Sequence, residues 1–361
     1  MNADAVLAAL AGVQDPLSGQ PLQPEHRVRD LRVGEREVAF RLVMPGLPDA
    51  ARFSLIARCE DAVRSVLAHA EVHVQLDATA RPGDVSAALP QVREIVAVAS
   101  GKGGVGKSTV SVNLALSLQA RGVRVGLVDA DLYGPSLPTM LGLRGQRPRV
   151  QEVYGKPKLV PLEAYGMPCI SMGSIIEPEQ AVVMRGPRLA GIIKQFFLEV
   201  VWPELDVLVV DLPPGTGDIQ LTLVQTVPVT GAVLVTTPQE VALVDAVKAM
   251  NMFLLPNVNV PVLGVVENMS WFTPADSPDR RYELFGKGAG RKLARQASSV
   301  LLGQVPLVQG IGEASDAGVP PATDPNHPAA GYYADIARAT LRQLALRREM
   351  LPPTRPVHVT S

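Results

Sequence analysis

Residues 95–120, IVAVASGKGGVGKSTVSVNLALSLQA, decide how the chain folds. Five apolar residues, Ile95 to Ala99, read as a strand buried on both faces. The turn Ser100–Thr109, SGKGGVGKST, follows, and STVSVNLALSLQA then has the pattern of a helix. Gly101, Gly106, Lys107 and Ser108 satisfy GxxxxGK[ST], and the strand before and the helix after supply the context that motif needs. Glycine is required because the backbone must wrap a polyphosphate with its N–H groups inward, in conformations that a Cβ obstructs. The following helix offers its positive end to the same phosphates. Lys107 is expected to bring an ammonium to the β- and γ-phosphates of ATP, and the Ser108 hydroxyl to hold magnesium. The expected nucleotide contacts are Gly101, Lys102, Gly103, Gly104, Val105, Gly106, Lys107, Ser108 and Thr109.

Downstream of this turn the grammar is strand, helix, strand. VRVGLV, LDVLVV, GAVLVTT, VPVLGVVEN and SSVLLGQVP are strand candidates without polar alternation. Helices are expected to begin at Ser108, Asp218, Val241 and Gly288, with a last one over Gly331–Met350. That alternation predicts an α/β P-loop fold, a mostly parallel sheet flanked by helices, over residues 95–350. RVQEVYGKPKLVPL reads as a hairpin inserted after the second strand. Upstream, residues 1–80 read as helix, strand, strand, helix, strand: a small α+β domain, in which Phe53, Ile56, Val63, Val66 and Leu67 fall at helical spacing. Residues 81–94 carry prolines and a glycine with little apolar periodicity and read as a linker, and the Pro-rich end, 351–361, reads as a disordered tail.

Composition narrows the function. A formal net charge of −1 argues against non-specific nucleic-acid binding by the whole chain. No apolar run approaches the roughly 18 residues of a membrane span, so the 47% hydrophobic content is expected in a globular core. MNADAVLAALAG has no basic residue ahead of its apolar stretch and reads as a first helix rather than a secretory signal. Cys59 and Cys169 are the only cysteines, which excludes a disulfide framework, suits a reducing compartment and leads to a cytoplasmic expectation.

Hydrolysis needs a held magnesium ion and an oriented water. Two strand-to-loop junctions offer carboxylates, Asp129 and Asp131 in VRVGLVDADLYGPS and Asp211 and Asp218 in LDVLVVDLPPGTGD. Asp211 follows four apolar residues, as a magnesium-binding Walker B aspartate should. PPGTG, stiff prolines beside permissive glycines, suits a loop that responds to a γ-phosphate.

Lys102 gives the turn the GKGGVGKS form, which resembles the deviant Walker A motif of the MinD, ParA and nitrogenase-iron-protein ATPases. The resemblance implies a nucleotide-dependent homodimer in which Lys102 reaches the partner's phosphates. It also implies that Asp131 positions the attacking water, that Asp129 shapes the magnesium surroundings, and that Asn268 recognises adenine. GKGGVGKSTVSVNLA, DADLYGPSLPTMLG, MRGP, DVLVVDLPPGTGD, TTPQEVALVD, GVVENMSWF and FGKGAGRKLA together look like the Mrp/ApbC iron–sulfur cluster carrier ATPases, over residues 95 to about 320. The first domain, with GVQDPLSGQPL, resembles the small module fused in front of such carriers. The resemblance implies iron–sulfur scaffold or apo-protein clients and a bridging [4Fe–4S] cluster held by a CxxC pair after ENMS. This chain departs there: ENMSWFTPADSPDRRYELFG has no cysteine, and Pro274 and Ser277 stand where the thiolates belong. Neither side chain replaces a thiolate, so no iron–sulfur ligands are assigned. Cys59 and Cys169 read as core residues, and His69 and His73 straddle a helix-to-strand junction, which disfavours a shared metal.

Two other classes share this motor. A ParA- or MinD-like positioning ATPase would bind DNA or membrane through the Arg-bearing last helix, but Ile336, Leu341 and Leu344 there suit a core-facing stripe. A slow, nucleotide-gated adaptor is the third. Neither membrane nor nucleic acid is the expected partner.

Overall fold

The structure, a computed structural model, describes residues 3–351 apart from 17–18, 35–36, 45–46, 48, 78–88, 90, 133, 154, 176–195, 257, 275 and 278. The MRGP string, most of the expected linker and nearly all of the tail lie outside the described residues. The chain divides into two compact units, Met1–Pro90 with Val150–Leu159, and Gln91–Arg149 with Val160–Ser361.

The first unit comprises α1 (Ala3–Leu10), a short α2 (Pro24–Arg27), β1 (Val28–Val33), β2 (Glu37–Val43), α3 (Asp49–Val66) and β3 (Glu71–Asp77). Its sheet runs β1-β2-β3, with β1 antiparallel and β3 parallel to β2. Val38, Phe40 and Leu42 alternate along β2 into a core closed by Val6 and Leu10 of α1. The stripe that α3 buries is Ala51, Leu55, Cys59 and Val63, spaced four apart. Of the positions expected at helical spacing, Val63 is fully buried and Leu67 packs against the core, Ile56 is partly buried, Val66 is exposed, and the side chain of Phe53 lies outside the described residues. Cys59, a small apolar side chain in practice, takes the central core position and turns the helix accordingly.

The second unit begins with β4 (Val92–Ala99) and α4 (Lys107–Gln119), continues with β5 (Val125–Asp129) and α5 (Leu137–Met140), and the chain then makes the hairpin β6 (Arg149–Val153) and β7 (Lys156–Val160). There follow β8 (Leu162–Ala164), β9 (Met167–Ser171), β10 (Leu205–Asp211), α6 (Asp218–Thr226), β11 (Gly231–Thr236), α7 (Glu240–Leu254) and β12 (Val262–Phe272). It ends with α8 (Ala289–Gln296), β13 (Leu301–Leu307), α9 (Gln309–Asp316) and α10 (Ala330–Met350). β4 starts at Val92, so the last residues of the stretch read as linker are strand. The eight-stranded sheet is ordered β13-β12-β11-β4-β10-β5-β9-β8, parallel except for the edge strand β8.

Every residue of β5 and β11 is buried, as strands covered on both faces require. The last helix packs on the core: Tyr333, Ile336, Ala337 and Leu344 are fully buried, and Leu341 packs partly buried against the same cluster. Among the described residues no helix is long and apolar enough to cross a membrane.

Candidate nucleotide-binding site

Three neighbouring strands of the large sheet end together. Parallel register sets Asp211 of β10 opposite Val98 of β4 and opposite Asp129 of β5. The carboxyl edge of the sheet, where α/β folds bind ligands, thus carries the glycine-rich turn and both carboxylates side by side.

The turn is shaped by its glycines. Gly104 and Gly106 have φ of +80° and +77°, in the left-handed region that a Cβ disfavours, and Gly106 caps the start of α4. Gly101 is required for another reason. A Cβ there would lie 2.1 Å from the Asp245 backbone carbon, so α7 is packed directly on the turn. Val105 is buried, Gly103 lies beside Pro214, and the Thr109 carbonyl accepts from the Asn113 amide at 2.8 Å.

The Lys107 ammonium reaches Asp211 Oδ1 at 2.7 Å, and both side chains are buried. Ser108 Oγ donates to Asp211 Oδ2 at 2.5 Å and Ser111 Oγ to Asp211 Oδ1 at 2.6 Å. Asp129, also fully buried, accepts from the Asp131 N–H at 3.1 Å, from Ser171 Oγ at 2.9 Å and from the Leu137 N–H at 3.3 Å. Burial first, and then the Asp211 carboxylate, holds the Asp129 carboxyl above the ordinary range, against its hydrogen bonds and Lys107. Asp131 is buried and accepts from the Gly134 N–H at 3.2 Å.

The two buried carboxylates repel one another, and Lys107 pairs with only Asp211, so a cation held beside them would let both ionise. The donors are hard oxygens, which fits magnesium. The structure accordingly brings together the expected magnesium set, Ser108, Asp129 and Asp211, beside Lys107.

Two residues expected at the nucleotide hold contacts within the chain. Lys102 donates to Gln239 Oε1 of the same chain at 3.2 Å. Asn268 is buried, and its Nδ2 donates to the Val105 carbonyl at 2.9 Å, so its amide braces the turn. The adjoining Met269 has φ of +55°, and β12 slips register against β13 between Asn268 and Phe272. Ser111 and Ser171 were missed by sequence reasoning. Only the four-residue helical step from Lys107 could have flagged Ser111; Ser171 had no local signal.

Described residues of the segment after ENMS are tied together by backbone hydrogen bonds. Phe272 and Tyr282 exchange backbone hydrogen bonds of 2.9 and 2.8 Å, the Ser277 N–H donates to the Pro274 carbonyl at 3.2 Å, and the Arg281 guanidinium lies 4.7 Å from the Trp271 ring centroid. Among the described residues no group of three or more His, Cys, Asp or Glu could hold a metal ion through such side chains alone. Cys59 and Cys169 are buried, and burial pushes both thiols up to about 12, against the thiolate form a cluster requires.

Both units of the chain resemble known proteins. An iron–sulfur cluster assembly protein model matches residues 3–76. An iron–sulfur cluster carrier protein from Synechocystis is 47% identical over 324 residues, covering 89% of this chain and 91% of its own. One from Deinococcus radiodurans is 44% identical over 358 residues, covering 98% and 99%. Among solved structures, a nucleotide-binding protein from Archaeoglobus fulgidus in complex with ADP is 36% identical with a TM-score of 0.57, over 69% of this chain and 94% of that one. The cell division ATPase MinD of Pyrococcus furiosus, 23% identical with a TM-score of 0.51 over 69% of this chain and 98% of its own, shares the fold. The model described as NUBPL iron-transfer P-loop NTPase matches residues 91–341, the stretch that holds the glycine-rich turn and both buried carboxylates, and the chain therefore belongs to that family.

Proposed function

We propose that this protein is an ATP-binding and ATP-hydrolysing homodimer of slow turnover that acts in iron–sulfur cluster assembly or transfer in the cytoplasm. The carrying observation is the convergence of Lys107, Ser108 and Ser111 on Asp211 at the end of a glycine-rich turn. Without nucleotide the ammonium is held by Asp211, and an arriving triphosphate takes it over at the β- and γ-oxygens. Magnesium, when bound, would be held by Ser108 and Asp211 within surroundings shaped by Asp129, and would neutralise charge on the phosphate oxygens. Asp131 orients water in line with the γ-phosphorus; the new P–O bond forms as the bond to the β–γ bridging oxygen breaks, yielding ADP and phosphate. Asn268, at the strand end beside the turn, is the residue assigned to the adenine. Lys102, hydrogen-bonded to the neutral Gln239 amide, exchanges that bond for phosphates of the partner subunit.

The names of the relatives support the iron–sulfur role, with a scaffold or an apo-protein as client. A second reading, a nucleotide-gated adaptor that carries no cluster of its own, is favoured by the turn at 272–282, where Pro274 and Ser277 stand in place of thiolates. Lys107→Ala tests the shared motor: nucleotide binding measured by fluorescence titration is expected to vanish, and normal ATP binding by that variant would overturn the site. Anaerobic purification with iron and acid-labile sulfide analysis separates the two readings, since stoichiometric iron requires ligands that the adaptor reading lacks.

A further inference from the structure

The loop between Asp211 and α6, Leu212–Gly217, is tied on one side to the strand that feeds the glycine-rich turn. The Leu212 N–H donates to the Val98 carbonyl at 3.0 Å, and the Gly215 N–H donates to the Ser100 carbonyl at 2.9 Å. Gly215 has φ of +95°, a conformation glycine alone adopts readily, so this peptide can be presented to Ser100 without strain.

On the other side the loop is held by one side chain. Gln220, in the first turn of α6, is 1% exposed; its Nε2 donates to the Pro213 carbonyl at 2.8 Å and to the Gly215 carbonyl at 3.1 Å. Both amide hydrogens are used. The orientation is dictated by chemistry, because the reversed amide would set its oxygen against two carbonyl oxygens. Its Oε1 is then buried and has no hydrogen-bond partner among the described residues. It faces Gly217, where an added Cβ would lie 3.8 Å away. A buried amide oxygen without a donor carries its desolvation penalty uncompensated, and such a group calls for a functional explanation.

We infer that Gln220 is a positioning residue that sets this loop for the γ-phosphate: its donors hold the loop carbonyls, and its unpaired Oε1 receives a loop N–H, from Thr216 or Gly217, when the loop closes on a triphosphate. The inference rests on reading the loop as the nucleotide-sensing element and assigns the residue that makes it two-state. Gly215 joins the two sides, since its N–H is held by Ser100, next to Gly101, and its carbonyl by Gln220. A shift of the turn on nucleotide binding is thereby transmitted to α6 through one peptide.

The consequence is selective. Gln220 touches no phosphate, so diphosphate affinity does not depend on it, whereas triphosphate closure does. The test uses the full chain, with ADP and a non-hydrolysable ATP analogue as probes. Gln220→Met keeps the length and removes all polarity, and Gln220→Glu keeps the shape and removes the donors. For both, ADP affinity is expected within about twofold of wild type, while analogue affinity and kcat fall by about five- to tenfold, the worth of one hydrogen bond. ADP and analogue affinities falling together, or neither changing, would overturn the role. Hydrogen exchange on the unmodified protein provides a check free of folding defects: amides 216–217 gain protection with the analogue and not with ADP. Equal protection with both sinks the inference while leaving the nucleotide site intact; a wild-type chain that binds neither probe sinks the site itself.

Discussion

The carboxyl edge of the large sheet and the turn closed by Phe272 and Tyr282 both lie in the second unit, and they differ in what their chemistry can hold. At the sheet edge Asp211 receives three donors within 2.7 Å, and a second carboxylate, Asp129, stands opposite it in register. At the turn, the stretch 272–282 contains no cysteine, and its positions 274 and 277 are a proline and a serine. The Ser277 N–H nevertheless donates to the Pro274 carbonyl there. The two places thus differ in donor chemistry: oxygens and an ammonium converge at the sheet edge, and the turn carries no thiol.

The largest effect that would sharpen this contrast is a gain. Pro274→Cys with Ser277→Cys places two thiols across an existing turn, and anaerobic reconstitution is expected to add iron and sulfide to the variant and none to the wild type, read by chemical assay and visible absorption. Cluster uptake by the wild type would break the comparison. Next, if Asp131 has the proposed water-orienting role, Asp131→Ala is expected to lower ATP turnover by about a hundredfold or more while leaving nucleotide affinity unchanged. Parallel loss of affinity in fluorescence titration would contradict that division. Ser111→Ala removes a buried hydroxyl that aims Asp211, and the apparent magnesium affinity, read from magnesium dependence of nucleotide binding, is expected to weaken by about tenfold.

The smallest effect concerns a carboxylate outside the site. Burial raises the Glu94 carboxyl above its ordinary range, only partly offset by Arg348, Arg93 and Arg347. The folded state therefore holds this proton more tightly than the unfolded chain does. Stability falls as pH rises from the ordinary glutamate range to the raised value, and the full penalty remains above it. Glu94→Gln is expected to flatten that slope and to raise the melting temperature near neutrality by roughly 2 °C. A lower melting temperature would show that the Arg348 pair, at 3.2 Å, outweighs burial.

Much of this was legible in the sequence because the decisive signals are local. Gly101 to Ser108 needs only its neighbours to be read, and strands such as β5 and β11 announce burial on both faces by lacking polar residues. What escaped depends on register between distant segments. Ser111 meets Asp211 across 100 residues and Ser171 meets Asp129 across 42, and a hydroxyl carries no mark of its future partner. Cys169 read as a core residue, yet the place of its strand β9, between β5 and the antiparallel edge strand β8, is a matter of sheet order. The stripe on α3 was misjudged because Cys59 was not counted among the apolar positions that set the helix face.

The two cysteines have a use that follows from where they sit. Cys59 lies at the heart of the first unit and Cys169 in that of the second, both shielded. Timed alkylation of the native protein therefore yields two independent clocks of opening, one per unit. Comparing them with and without ATP would reveal which half of the molecule nucleotide tightens, with no label added.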